Sequence, residues 1–277
     1  MVINTILRIA ACLVLLGFAW QHYAWETPYR VLLWDESFFS PIVKYFGISW
    51  QDWIGETRFD EAITKSIKCL SILFLLGAMA CFEFKNEHRF FKIFKNIVFI
   101  KCAFLILLIA ILTCKDQFYR PVQFLEFSMQ WTMPFFIVFY NKFKDSKLYI
   151  LLLKICLALA FIAHGLYALN MFPIPANFIN MTITILGCSE TFARQFLYGI
   201  GWCDIIFSIL IFVPKVNKIA LIYCIVWGFA TALARIWANY CLEPSVFTFS
   251  RYTFEFLIRS AHFLVPLWLV LKKKLIL

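Results

Sequence analysis

Long apolar runs alternate with short polar loops along the whole chain. A helix needs about 20 predominantly apolar residues to span a bilayer, and eight runs approach that length. The pattern predicts an all-α fold, a polytopic transmembrane helical bundle of about eight spans. The predicted spans are residues 3–23, 60–82, 96–114, 123–140, 148–169, 195–213, 219–240 and 253–271.

Basic residues occupy every second connection between these runs. Cytoplasmic loops of membrane proteins carry an excess of lysine and arginine, so this side is predicted to be cytoplasmic, with both termini on it. Acidic residues concentrate in the opposite loops. We therefore expect an integral protein of a bacterial inner membrane. The basic residues are Lys85, Arg89, Lys92, Lys95, Lys142, Lys144, Lys147, Lys215, Lys218, Lys272, Lys273 and Lys274.

Composition supports the same class. The chain is 63% hydrophobic with a mean hydropathy of +0.81, whereas a soluble domain is about 45–50% apolar. The net charge of +10 comes from the short loops, so it indicates topology rather than a nucleic-acid surface. The expected partners are the lipid bilayer and a membrane or periplasmic protein, with no nucleic acid.

The ten cysteines are scattered singly, without the spacing of a metal site, so no metal is predicted. Most lie inside apolar runs, where cysteine acts as a small hydrophobic residue. Cys188 and Cys241 fall in two loops on the same side, which leaves a disulfide between them open.

The loop 25–59 is too long for a simple turn and contains Trp25, Trp34, Trp50 and Trp53. Ser40-Pro41 predicts the start of a short helix that ends at Gly47. Ser49 to Asp52 resembles a capping box that opens a second turn ending near Gly55. Tryptophan anchors at headgroup level, so we interpret the loop as an interfacial cap, or alternatively as a lid over a cavity.

The loop 170–194 is also elaborate. Pro173 and Pro175 predict an extended path, and the apolar stretch that follows is too short to cross a membrane. Ser189 is a suitable N-cap for the next helix, with Glu190 and Arg194 spaced for an i,i+4 ion pair.

Ionisable residues within the predicted spans carry the functional signal. A charge at the bilayer centre costs roughly 2.5–3.5 kcal/mol on insertion scales, so such residues are functional candidates by default. Counting 1.5 Å per residue places one group about 22–24 Å above the inner membrane face and a second about 13–18 Å above it. The upper group is Glu126, His164, Arg235 and Glu255, and the lower group is Gln130, Asp204, Arg259 and His262.

Matching depths predict partners. Arg235 and Glu255 are expected to form a salt bridge, and Asp204 is expected to meet His262. Interhelical polar clamps of modest energy and a functional cavity for ligand binding or proton relay both remain open as explanations. Haem ligation by His164 and His262 is disfavoured, because their predicted depths differ by about 10 Å.

The second half of the chain contains a recurring motif set. Lys154 opens one helix, His164-Gly165 lies near the end of that helix, and Gly201 to Asp204 forms a G-x-x-D motif in the next. These residues resemble the DoxX-like membrane family, although aspartate stands where glutamate is common. Gln130 lies four residues before Pro134, as His262 does before Pro266. We therefore predict a 4+4 internal repeat.

The repeat divides the chain into residues 1–147, which include the outer interfacial loop 25–59, and the DoxX-like half 148–277. The resemblance implies an accessory subunit of a membrane redox system, with a quinone or a small sulfur compound as ligand. A transporter or channel for a small anionic solute, a scaffold that binds a partner through the outer loops, and an enzyme acting on a lipid or periplasmic substrate remain alternatives. All share an outward-facing polar cavity.

Overall fold

The computed structural model describes residues 2–82 and 88–276, and these residues form fourteen α-helices without a strand. Lys85 and the side chains of Lys273 and Lys274 lie outside the described part. The helices are α1 Val2–Ala24, α2 Arg30–Leu33, α3 Glu36–Tyr45, α4 Trp50–Gly55, α5 Thr57–Ala80, α6 Arg89–Asp116, α7 Pro121–Glu126, α8 Ser128–Phe143, α9 Lys147–Ala168, α10 Ala176–Leu186, α11 Glu190–Leu210, α12 Asn217–Leu242, α13 Val246–Ile258 and α14 Ala261–Ile276.

Within this part, six helical segments are long and apolar enough to cross a membrane. They confirm six of the eight predicted spans, and the chain is a multi-pass helical membrane protein. The predicted spans 123–140 and 195–213 stay predictions. The first is divided between α7 and α8, and the second lies in α11, whose first turns carry Glu190 and Arg194. The six segments are Thr5–Ala24, Thr57–Ala80, Arg89–Asp116, Lys147–Ala168, Asn217–Leu242 and Val246–Lys272.

Side-chain contacts define the two ends of the bundle. At one end Lys272 Nζ bonds Asp145 Oδ1 at 2.9 Å, and Arg8 donates to the Cys81 carbonyl. We call this the basic end. At the other end Trp20 donates to the Ser250 carbonyl at 3.2 Å. We call it the loop end, because α2–α4 lie there.

Two helical segments, α7–α8 and α13–α14, are each interrupted by a break. The helix breaks at Phe127, between α7 and α8, and at Arg259-Ser260, between α13 and α14. After the first break Ser128 Oγ donates to the Cys156 carbonyl of α9 at 2.8 Å, and after the second Ser260 Oγ donates to the Ala10 carbonyl of α1 at 3.5 Å. Each broken segment thus packs on the first helix of the opposite half. The 4+4 repeat itself stays a prediction.

The loop 25–59 forms three short helices rather than the two predicted. Asp35 is the N-cap of α3 and accepts from the Phe38 amide at 3.2 Å, so Ser40-Pro41 lies inside the helix and the predicted start there is wrong. Aspartate in extended backbone is a strong N-cap. Gly47, at φ 73°, follows the end of α3, and Ser49 caps α4 through the Asp52 amide. Both assignments are as predicted.

An ion pair fastens this loop to the membrane segments. Lys115, at the end of α6, binds the Asp35 carboxylate. The hydrogen bond from Lys115, with a further one from Ser37, lowers the pKa of Asp35 to about 2. Trp53 adds a hydrogen bond from its indole nitrogen to the Leu33 carbonyl at 2.8 Å. The loop is therefore an ordered cap over the end of the bundle.

The loop 170–194 contains the short apolar helix α10, which ends at Gly187 in the left-handed conformation, φ 61°. Ser189 caps α11 by accepting from the Phe192 amide, and Arg194 pairs with Glu190 at 2.6 Å, as predicted. All ten cysteines carry free thiols. The structure thus contains no disulfide between Cys188 and Cys241.

Candidate functional site

Two glycines bring the first site residues together. A Cβ on Gly165 would lie 2.9 Å from the Gly201 carbonyl oxygen, and one on Gly201 would lie 3.0 Å from the Gly165 carbonyl oxygen. Only glycine allows α9 and α11 to approach so closely. His164 is next to Gly165, and Asp204 is one turn beyond Gly201. Because the two helices cross at the glycines, both residues lie in the wall of one cavity.

Four charged side chains from three helices form a continuous network. Arg235 Nε lies 3.1 Å from Glu255 Oε2, which confirms the predicted salt bridge. Arg259 lies 3.8 Å from the same Glu255 oxygen and donates to Glu126 Oε1 at 3.0 Å. Arg235 and Glu126 are 3% and 6% exposed. Two arginines and two glutamates thus balance one another inside the protein.

The contacts in this network contradict the predicted division of the polar residues into an upper and a lower layer. The depth count places Arg259 in the lower layer and Glu126 in the upper layer, yet their side chains are in contact. Counting depth by residue number assumes straight helices perpendicular to the membrane. The breaks at Phe127 and at Arg259-Ser260 remove that assumption for both segments.

The two histidines are neighbours, also contrary to the depth estimate. The ring centroids of His164 and His262 lie 5.9 Å apart, with ring planes at 59°. The predicted depth difference of about 10 Å between the two histidines is wrong. Depth therefore no longer argues against ligation of a haem by both rings. Phe161 packs against His262 and Phe178 against His164. The imidazoles therefore lie side by side in an aromatic surrounding.

His262 is held by one nitrogen only. Its Nδ1 lies 3.0 Å from the Arg259 carbonyl oxygen, and its Nε2 has no hydrogen-bond partner among the residues that the structure describes. A buried polar atom without a partner is costly and calls for an explanation. Helix α12 passes close to the backbone of His262, since a Cβ on Gly228 would meet the His262 carbonyl oxygen at 3.0 Å.

Asp204 bonds a tyrosine rather than the predicted histidine. Tyr223 Oη donates to Asp204 Oδ1 at 2.6 Å, and the tyrosine ring stacks on Phe207 at 4.3 Å. Asp204 is 2% exposed and forms no ion pair within the described part of the chain. The predicted Asp204–His262 contact is therefore replaced, although both residues line the same cavity.

Gln130 does not line the cavity. Its amide nitrogen is placed to donate to the carbonyls of Glu126, at 2.9 Å, and Phe127, at 3.0 Å. Both carbonyls lie at the helix break between α7 and α8. The geometry therefore assigns Gln130 to the break rather than to the cavity.

One cavity lies between α11 and α12, beneath α10, and we call it the chamber. Its volume is about 200 Å³, far above the roughly 10–15 Å³ that one water needs. Most of its wall is apolar, including Phe161, Phe196, Ile200 and Trp227. The ionisable residues in the wall are His164, Asp204, Arg235, Arg259 and His262.

A second cavity of about 250 Å³ adjoins the chamber at the loop end, and we call it the vestibule. Its wall is more polar than that of the chamber, with Asn180, Thr184, Asn239 and Glu255 among the lining residues. Arg235 lines both cavities. Glu255 therefore belongs to the vestibule, and Glu126 reaches the site only through Arg259.

Sequence reasoning missed three polar residues of the site. Gln123 donates to Glu126 Oε2 at 3.1 Å and accepts from Tyr167 at 2.9 Å, and Tyr223 is the partner of Asp204. Gln123 and Tyr167 each stand three residues from a predicted site residue, hence on the same helix face. That spacing was the available signal, whereas nothing in the sequence distinguished Tyr223.

In the described ranges, no three histidine, cysteine, aspartate or glutamate side chains come together as a metal site. No protein family matches the chain, and no curated protein or solved structure is significantly similar to it.

Proposed function

We propose that the protein is a DoxX-like accessory subunit of a membrane redox system and that its chamber binds a small quinone-type ligand. The observation that carries this proposal is the unpartnered Nε2 of His262, buried beside an apolar cavity. A quinone presents an apolar ring and two carbonyl acceptors. The aromatic wall suits the apolar ring. His262 Nε2, in the tautomer in which it carries the proton, can donate to a quinone carbonyl.

The fit to such a ligand comes from residues of this chain. Ligand pockets are mostly apolar, with a few placed polar groups that fix orientation. Phe161, Phe196 and Trp227 supply apolar surface, and His164 and His262 supply ring nitrogens on one side. The bound quinone would supply the redox chemistry, and these residues would bind and orient it.

The proposal includes eight spans, with both termini cytoplasmic and the loop end outside. The matching breaks at Phe127 and Arg259-Ser260 support the 4+4 repeat behind this count. A cysteine introduced at Lys92 should be modified by an impermeant maleimide only after the membrane is opened. Labelling of position 92 itself from the outside of intact cells, located by mass spectrometry because the native Cys241 is also exposed, would overturn this orientation.

Titration with decylubiquinone tests binding, with quenching of tryptophan fluorescence as the signal because Trp227 lines the chamber. We expect saturable quenching that weakens at least tenfold in H262N and D204N. H88A is the matched control, since His88 caps α6 at the basic end, and K154A should also bind normally. Equal affinity in all four variants would refute the assignment of the chamber.

Transport of a small solute is the second candidate, and the polar vestibule is the observation in its favour. No residue of the basic end appears in the described lining of either cavity. Copurification from native membranes followed by mass spectrometry separates the candidates. Stable partner subunits or a bound quinone would support the redox proposal, whereas uptake of solute by vesicles containing the protein alone would support transport.

A further inference from the structure

The chamber has two sides from which a ligand could arrive, the vestibule and the surface between α11 and α12. We infer that the ligand enters between α11 and α12, directly from the bilayer, and is a neutral, lipid-soluble molecule. This inference rests on the proposed function in one respect, namely that the chamber is a ligand site. It adds a portal and a class of ligand.

The rim of the chamber faces an apolar surface. Ile185 and Leu186 of α10 are 40% and 48% exposed, and Ala230 of α12 is exposed as well. All three also line the chamber. Elsewhere on their surfaces α11 and α12 also present large exposed apolar side chains, as helices facing lipid do. These side chains are Trp202, Ile206, Val226, Phe229 and Leu233.

Small side chains leave the portal open. Gly228, Ala230 and Ala234 line the chamber on α12, opposite Phe196 and Ile200 on α11. An alanine at the exposed rim fills little of the gap between two helices that otherwise carry bulky residues. The exposed residues of the chamber wall, Ile185, Leu186 and Ala230, are all uncharged, so the wall presents no charged group on its exposed side.

The route through the vestibule is obstructed by the ion network. Arg235 stands between the two cavities, close to Glu255 on one side and bonded through Nη1 to the Thr231 carbonyl at 3.1 Å. Asn239 Nδ2 in turn donates to the Arg235 carbonyl oxygen at 2.7 Å. A ligand from this side would have to displace a buried guanidinium from its carboxylate, which is costly.

Charge balance argues for a neutral ligand. Arg235 and Arg259 are already matched by Glu255 and Glu126. Asp204, which also lines the chamber, forms no ion pair in the described ranges, so an anion would add a second unmatched negative charge to a buried site, where such charges are costly. A molecule that is neutral and largely apolar adds none, and it can dissolve in the bilayer that the portal faces.

The test uses the variant A234C, which places a thiol in the chamber wall, and reads modification site by site by mass spectrometry. The neutral probe is N-ethylmaleimide and the anionic probe is 2-sulfonatoethyl methanethiosulfonate. Each rate is divided by that of the exposed native Cys241. We expect the relative rate at position 234 to be at least tenfold higher for the neutral probe. A relative rate for the anionic probe equal to or above that of the neutral one would overturn the inference.

Blocking variants locate the route. In the A234C background, A230W or the smaller A230F should slow the neutral probe about tenfold, while V226W, one turn away on the same exposed face, should not. T184W narrows the vestibule and should leave the rate unchanged. Slowing by T184W alone would place the route in the vestibule. Because these rates need no quinone, a failure of decylubiquinone binding would refute the proposed function and leave the portal result standing.

Discussion

Gly165 and Gly201 contact each other across the crossing of α9 and α11, and each lies where a side chain on the other would collide with backbone. The same two glycines belong to the sequence motifs that contain His164 and Asp204. The crossing therefore sets the spacing between two walls of the chamber.

We predict that G201A lowers stability by about 1–3 kcal/mol, the usual cost of overpacking, because its Cβ would lie 2.9 Å from Leu169 Cγ. Thermal unfolding in detergent measures the change. G199A is the matched control on the same helix, since nothing lies within 4 Å of the added carbon. Equal destabilisation by both substitutions would show that the crossing is not tightly packed.

The buried pair of Arg235 and Glu255 should be far more sensitive than the exposed pair of Arg194 and Glu190. We expect E255Q to destabilise by about 3–5 kcal/mol, because it leaves a buried guanidinium without its partner. E190Q should cost less than about 1 kcal/mol, since both side chains of that pair are more than half exposed. Chemical unfolding of the two variants makes the comparison. Similar losses would mean that the buried pair is solvated.

The serines at the two helix breaks should contribute unequally. S128A removes a hydrogen bond of 2.8 Å and S260A one of 3.5 Å, so we expect a loss of about 1 kcal/mol for the first and less for the second. S71A, whose hydroxyl bonds only its own helix at an exposed position, should be nearly neutral. A larger effect of S260A than of S128A would contradict this order.

The contact of Asp35 with Lys115 should survive mild acid. Because the pKa of Asp35 is lowered to about 2, against about 3.9 in an unfolded chain, the folded state binds this proton more weakly. The contact is thus fully present above about pH 4 and is lost as the pH falls through about 2. Limited proteolysis of the loop 25–59 should be unchanged between pH 7 and pH 4.

D35N should expose the same loop to protease at pH 7, because it removes the charge that Lys115 binds. E36Q, at the neighbouring position in the first turn of α3, is the control and should be cleaved as slowly as the wild-type protein. Loosening of the wild-type loop already between pH 5 and pH 4 would show that the pKa is not lowered, because an aspartate of ordinary pKa is about half protonated at pH 4.

Non-reducing electrophoresis should show the same mobility with and without reductant. Cys188 and Cys241 carry free thiols, so a maleimide should modify Cys241 in native protein and both residues after unfolding. C241S should leave the unfolding temperature unchanged. A mobility shift on reduction that disappears in C241S would show that Cys241 does form a disulfide.

Local features of the sequence predicted local structure well. Apolar runs predict spans because a lipid environment requires every backbone group to bond within its own helix, and six of the predicted runs are spans of sufficient length. Ser49, Ser189 and Gly47 act at helix ends as their chemistry predicts. The pair of Arg235 and Glu255 could also be predicted from the sequence, because the two residues lie on consecutive helices joined by one short connection.

The tertiary structure alone decided which of the remaining polar groups meet. Phe127 and Arg259-Ser260 interrupt their helices without a proline or glycine at the break, so residue counting misplaced Arg259 and His262. Asp204 had several candidate donors of similar chemistry, and only the packing of α11 against α12 selected Tyr223. The chamber likewise depends on distances between helices far apart in the chain. Periodicity follows from neighbours along the chain, whereas a site in a membrane bundle is decided by the tilts, breaks and close crossings of the helices.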